Sequence, residues 1–131
     1  MAGFSDFLEN AVLDHVFGGT AYTAPSTLYV ALFTAAPSDS GGGTEVSGGS
    51  YARKSMPDMD ISGTSPTQAT NGAAVEFVTA TGSWGTVTHV GVYDASSSGN
   101  LMAYATLSSS KAIATGDVFR VPSGDLDITL N

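Results

Sequence analysis

The chain has 131 residues, a formal net charge of −8 and no cysteine. Its only basic residues are Arg53, Lys54, Lys111 and Arg120, so nothing can neutralise a run of phosphates, and nucleic-acid or anionic-membrane partners held by charge are excluded. The lack of thiols removes disulfides, thiolate catalysis and zinc–sulfur sites, and the length suits one domain with one core, here residues 1–131.

Charged residues make up 12% of the chain, about half the usual share, so the polar surface is built mainly from hydroxyls and backbone. No stretch approaches the length of a membrane span, and the N-terminal residues lack a basic, apolar secretory pattern, so neither is expected.

In chain order, Phe4, Phe7, Leu8, Ala11, Val12, His15 and Val16 recur at three- and four-residue spacing and predict a helix over 5–17. Ser5 or Asp6 is its N-cap, Asp6 with Glu9 has capping-box spacing, and Gly18-Gly19 supplies the left-handed stop. The period then changes to two. Residues 27–34 read as a strand with Leu28, Val30 and Leu32 on one face and Tyr29, Ala31 and Phe33 on the other. Both faces are apolar, so both should be covered, one by the helix or by a neighbouring subunit. Residues 35–50 and 57–72 read as long mobile Gly/Ser and hydroxyl-rich loops, separated by a short strand at 51–56. Further strands are expected at 73–79, 86–94, 101–107, 117–121 and 125–130. The pair 86–94/101–107 reads as a hairpin, and 117–121/125–130 as a second one. The fold class is mainly β: an antiparallel β-sandwich or jelly-roll-like domain over 27–131 with one N-terminal amphipathic helix.

The residues that could carry chemistry do not converge. His15 on the helix and His89 in mid-strand read as structural. No Gly-x-Ser-x-Gly elbow is present, and the Gly41-Gly42-Gly43 run lacks the Lys of a phosphate loop. Asp58/Asp60 and Asp125/Asp127 read as solvated acidic faces. Asp94–Asn100 has oxygens like an EF-hand opening, but position twelve is Ala105 and no helices flank it, so a Gly-containing turn is preferred. No catalytic residue, cofactor or metal is expected. Trp84 and Tyr51 are candidates for stacking on a sugar, although core packing is the default for aromatics.

The runs Phe-Ser-Asp-Phe-Leu-Glu-Asn-Ala-Val-Leu-Asp-His-Val-Phe-Gly-Gly at 4–19, Leu-Tyr-Val-Ala-Leu-Phe-Thr-Ala-Ala-Pro at 28–37, Gly-Thr-Glu-Val-Ser-Gly-Gly-Ser-Tyr-Ala-Arg at 43–53 and Trp-Gly-Thr-Val-Thr-His-Val-Gly-Val-Tyr-Asp-Ala at 84–95 follow one another in order. Together they resemble small tailed-bacteriophage virion proteins of tail-fibre or head-fibre type. The resemblance covers nearly the whole chain. It implies a non-enzymatic component of the virion exterior, made in the host cytoplasm, whose partners are the major capsid protein or other virion proteins. It would act as a capsid decoration (cement) protein or a small fibre module. Self-association is expected, with a trimer favoured, through Phe4, Phe7, Leu8, Val12, Tyr29 and Phe33. The alternative is a carbohydrate-binding module for a host-surface glycan, using Trp84 and Tyr51.

Overall fold

A computed structural model describes residues 3–63 and 67–130. Its elements are β1 (Gly3–Phe4), α1 (Asp6–Leu13), a π-helical turn (Asp14–Gly18), β2 (Tyr29–Ala35), β3 (Thr44–Glu45), β4 (Lys54–Ser55), β5 (Met59–Ser62), β6 (Thr67–Asn71), β7 (Val75–Glu76), β8 (Gly85–Tyr93), β9 (Leu101–Ile113), β10 (Arg120–Val121) and β11 (Asp127–Leu130).

The architecture is an antiparallel β-sandwich with one short helix, as the strand spacing predicts. The larger sheet runs β1-β9-β8-β2-β3, with β4 on another stretch of β2. The opposing layer contains the three-stranded β11-β6-β5 sheet and the β10-β7 pair. Val30, Leu32, Val87, Val90, Val92 and Met102 from the large sheet meet Val75, Phe77, Phe119, Val121 and Leu126 in the core. Val30/Leu32, Val90/Val92, Val75/Phe77 and Phe119/Val121 alternate along the chain, with the β8 register shifting between Val87 and His89, so one face of each pleated layer is removed from water.

Ser5, rather than Asp6, caps the helix. Its backbone is extended (φ −77°, ψ 162°), its hydroxyl accepts from the Leu8 amide at 3.3 Å and donates to the Leu101 carbonyl. With the cap at Ser5 the reciprocal position is Leu8, so the Asp6–Glu9 box does not form. Asp6 and Glu9 still lie in the first turn, where the helix dipole favours anions. The α-helical ladder widens into the π turn, and Gly19 ends it at φ +77°, a conformation that glycine adopts without a Cβ clash.

Both faces of β2 are covered, as its sequence requires. Val30 and Leu32 point into the sandwich, while Ala31 and Phe33, at most 1% exposed, occupy the outer side. Phe33 stacks on Tyr93, with centroids 6.3 Å apart and an 18° interplanar angle. Gly91 makes room for it: a Cβ there would sit 2.8 Å from Phe33 Cε1 and 3.1 Å from Leu101 Cδ1. Alongside, the Asp6 amide donates to the Asp39 carbonyl at 2.8 Å, fastening the start of α1 to the loop after β2.

Several segments differ from the sequence reading: the expected 35–50 loop contains β3, paired with β2, and the strand expected at 101–107 runs on to Ile113. Residues 57–72 are not mostly irregular: β5 and β6 form a hairpin ladder from Met59↔Asn71 to Ser62↔Gln68. Pro66 lies outside the described residues. Residues 117–121 and 125–130 do not form a hairpin with each other. β10 pairs with β7, and β11 pairs with β6 from Asp127↔Thr70 to Leu130↔Thr67. The cause is Asn71, which is 1% exposed. Its side-chain amide donates to the Ala73 carbonyl at 3.0 Å and the Pro122 carbonyl at 2.9 Å. Its oxygen accepts from the Leu126 amide at 2.9 Å. This buried hub redirects the 122–126 turn onto β6 instead of letting the chain fold back on β10.

Candidate functional site

The six residues expected at an interface divide by exposure. Phe33 is internal. Phe4, Leu8, Val12 and Tyr29 are half-buried; Phe4 pairs with Ala103 through β1, and Leu8 packs against the core. Phe4 and Leu8 fasten the N-terminal segment and the helix to the chain's own sheet and core, and Tyr29 lies on β2. Phe7 is 39% exposed, with its ring edge-on to Tyr22 at 6.3 Å.

The most exposed apolar side chains of this helix and its π turn include two residues off the predicted stripe, Leu13 and Phe17, and one on it, Val16. Leu13 is 57%, Val16 60% and Phe17 82% exposed. They crowd the end of α1 and the π turn, beside Asp14. Val16 was on the predicted stripe, but widening of the helix at Asp14–Gly18 rotates the last turn out of register with the sheet. The only signal in the sequence was the Val16-Phe17 pair placed directly before Gly18-Gly19.

Trp84 and Tyr51 do not form a sugar platform. Trp84 is 3% exposed, its indole N–H donates to the Gly49 carbonyl at 2.9 Å, and its ring meets Tyr51 edge-on at 5.3 Å. Phe77 stacks on Tyr51 at 6.2 Å and meets Phe119 edge-on at 5.8 Å. These rings pack on one another and bury Trp84 in the core, while Tyr51 stays half-buried with Phe77 stacked on it.

Tyr51 also joins the main polar node. Its hydroxyl donates to Glu45 at 2.7 Å and accepts from the Leu32 amide at 3.0 Å. Arg53 forms a two-pronged ion pair with Glu45, both contacts at 2.9 Å. Its remaining arm donates to the Ala95 and Ser98 carbonyls at 3.0 and 2.7 Å. Its guanidinium lies 3.7 Å above the Tyr93 ring centroid. The node clamps β3 to the β8–β9 turn. Burial, and the Glu45 carboxylate after it, push the Tyr51 phenol well above the usual tyrosine range. The hydrogen bond to Glu45 raises Arg53. Neither shift creates an acid or base that works near neutrality.

The other titratable candidates are also structural. His15 Nδ1 accepts from the Tyr22 amide at 3.0 Å, and His89 Nδ1 lies 2.7 Å from the Thr88 hydroxyl. Asp94 accepts from the Asn100 amide and side chain at 2.7 and 2.9 Å, closing the turn that the sequence favoured over a calcium loop. Among the described residues no group of three or more His, Cys, Asp or Glu side chains is arranged to hold a metal.

An open groove of about 800 Å³ lies between β9 and the 118–127 segment. Its floor includes Ile113, Phe119, Val121 and Leu126, and its charged lining is Lys111, Arg120, Asp125 and Asp127. One wall is a bulge in β9. Val87 pairs with Lys111 but His89 pairs with Thr106, so Leu107–Ser110 stand opposite Thr88 alone. A bulge this large bends the strand and lifts its side chains away from the ladder.

A family model described as podophage GP4 fiber I protein gp80 matches residues 3–129. The chain belongs to this family of phage fibre proteins. No curated protein matches it. Membership in the fibre family is membership of a class of structural virion components, and it accords with a molecule whose polar side chains serve the fold. The same match spans α1, the groove and the Arg53 node, so all three are features of the fibre-family region rather than of an appended segment.

Proposed function

We propose that the protein is a non-enzymatic structural module on the exterior of a tailed-phage particle, a small fibre component that associates with copies of itself and with a neighbouring virion protein. The observation that carries this reading is the presented apolar end of the helix, Leu13, Val16 and Phe17, on a chain of the fibre family. Isolated exposed apolar residues are ordinary, but three large ones within five positions form a patch that association would remove from water. Closed cyclic symmetry is the common outcome for such chains, and a trimer is the first state to look for.

Copy number per purified virion, measured by quantitative mass spectrometry against the major capsid protein, tests this. A number far below that of the capsid protein supports a fibre module. A number approaching it reassigns the protein to capsid decoration. Absence from the particle refutes the virion role.

A further inference from the structure

We propose that Asn71-Gly72 is a self-modifying site that the fold holds closed: when the 122–126 turn lifts off β6, the Gly72 amide nitrogen attacks the Asn71 side-chain carbonyl carbon, and the chain that results cannot rebuild the Asn71 hub.

The chemistry needs only these two residues and water. The Gly72 nitrogen forms a bond to Asn71 Cγ and the bond from Cγ to Nδ2 breaks. The Nδ2 group leaves as ammonia, taking the proton that the Gly72 amide gives up. One water then opens the five-membered imide at either of its carbonyls. The product is aspartate, or isoaspartate, whose main chain runs through the side-chain carbon. Glycine is the successor that hinders this attack least, because it has no Cβ and the widest backbone freedom. Asn71 is the one asparagine in the chain that glycine follows; Asn10 precedes Ala11 and Asn100 precedes Leu101.

The fold demands both members of this labile pair. Asn71 is needed for its three side-chain hydrogen bonds. Gly72 is needed for clearance: a Cβ there would lie 3.2 Å from the Asp58 carbonyl oxygen and 3.2 Å from Asp60 Oδ2.

The same contacts keep the reaction off. Gly72 is exposed, but Asn71 is 1% exposed, so water does not reach the carbon to be attacked. The main chain of Asn71 is fixed as well. Its amide donates to the Leu126 carbonyl at 3.2 Å, and its carbonyl accepts from the Gly124 amide at 2.9 Å. Turning Cγ toward the Gly72 nitrogen breaks the bonds to Ala73, Pro122 and Leu126 together. At about fivefold in population for each, the reactive fraction falls by about a hundredfold or more. After reaction the way back is blocked. Aspartate has no donor for the Ala73 and Pro122 carbonyls and sets a carboxylate against them. Isoaspartate adds a main-chain carbon where Asn71 pairs with Met59, which breaks the register of the β5–β6 ladder.

The test follows loss of Asn71 by peptide mapping in heavy-oxygen water, which labels the product, with the chain held in buffer and in urea. In urea Asn71 is expected to react faster than Asn10 and Asn100 in the same sample. In buffer its rate is expected to fall by about a hundredfold or more. Leu126→Ala, which loosens the seat of the turn from a buried position, should raise the rate in buffer by more than about tenfold. If that variant does not fold, wild type below its urea midpoint replaces it, and the rate must rise with the open fraction. The aged product, separated by its added charge, should melt below wild type. An Asn71 no faster than Asn10 and Asn100 in urea overturns the site. A rate in buffer within about tenfold of the rate in urea overturns the gate, as does a rate that ignores Leu126→Ala or rising urea. An aged product that melts like wild type overturns the loss of the hub.

Discussion

Replacing Asn71 with Ala removes one buried side chain that ties β6 to the 122–126 turn. Three hydrogen bonds disappear, to the Ala73 and Pro122 carbonyls and from the Leu126 amide. At about 1 kcal/mol net each, the loss is about 3 kcal/mol. Unfolding entropy of about 2.1 cal/mol/K per residue gives about 0.28 kcal/mol per kelvin for this chain, so Tm falls by about 10 °C. The assay is calorimetric or circular-dichroism melting beside Thr67→Ala, an exposed change on the same strand that should shift Tm by no more than about 2 °C. Asn71→Asp sharpens the test. Its carboxylate keeps the bond from Leu126 but faces two carbonyls, so its folded pKa lies above the unfolded value. Its deficit relative to wild type is therefore smallest below about pH 4 and grows as the pH rises. An Asn71→Ala protein that melts within about 3 °C of wild type would refute the hub, as would a pH-independent deficit in Asn71→Asp.

Three further outcomes are expected. Gly91→Ala forces Phe33 and Leu101 to move and costs about 1–3 kcal/mol, read from the denaturant midpoint; an unchanged midpoint would mean the rings shift freely. Arg53→Ala strips Glu45 and two carbonyls of their buried partner. It costs about 3 kcal/mol and opens the 94–100 turn to limited proteolysis, whereas continued resistance of that turn would show that Asp94 and Asn100 hold it alone. Burial raises Tyr22, Tyr51 and Tyr93 above the ordinary tyrosine value. The unfolded chain thus loses phenolic protons first, and stability is intact below about pH 10 and falls as the pH rises beyond it. Melting curves with tyrosinate absorbance check this, and ionisation of Tyr51 before unfolding would contradict it.

The parts of the fold that read clearly from the sequence are those where one periodicity dominates. Apolar residues on both faces marked β2 as covered, and alternation with a Gly-containing turn marked β8 and β9 as a hairpin. β5 was hidden because the alternation in Met-Asp-Ile-Ser runs for only four residues between hydroxyl-rich and Pro-containing flanks, and β6 because Thr-Gln-Ala-Thr-Asn has a single apolar residue; backbone pairing with each other and with β11 makes them strands. The partner of β11 was hidden for a related reason. A short Pro-Ser-Gly connection suggests a local hairpin, and only the buried Asn71 side chain redirects it. On the helix, periodicity found the anchoring residue Leu8 but not the presented Phe17. Apolar character alone does not say which side of a terminal turn the sheet will cover. Trp84 shows the converse: the residue type permits recognition, and the neighbouring rings of Tyr51 and Phe77 decide that it packs.

The connectivity of the second layer has a kinetic consequence. The β8–β9 turn closes between residues six apart, whereas Asn71 reaches Leu126 across 55 positions. Loop-closure entropy is lower for the first, so the hairpin can form early while the β6–β11 seam waits for a distant segment. Until that seam closes, the inner faces of Val87, Val90 and Val92 have no lid and are open to misassociation. Strengthening the seam would then lengthen the native lifetime more than it would speed folding, because contacts made after the transition state act chiefly on the unfolding rate. For a structural component of a phage particle, resistance to opening at this seam, more than the depth of the equilibrium, would set how long it stays folded.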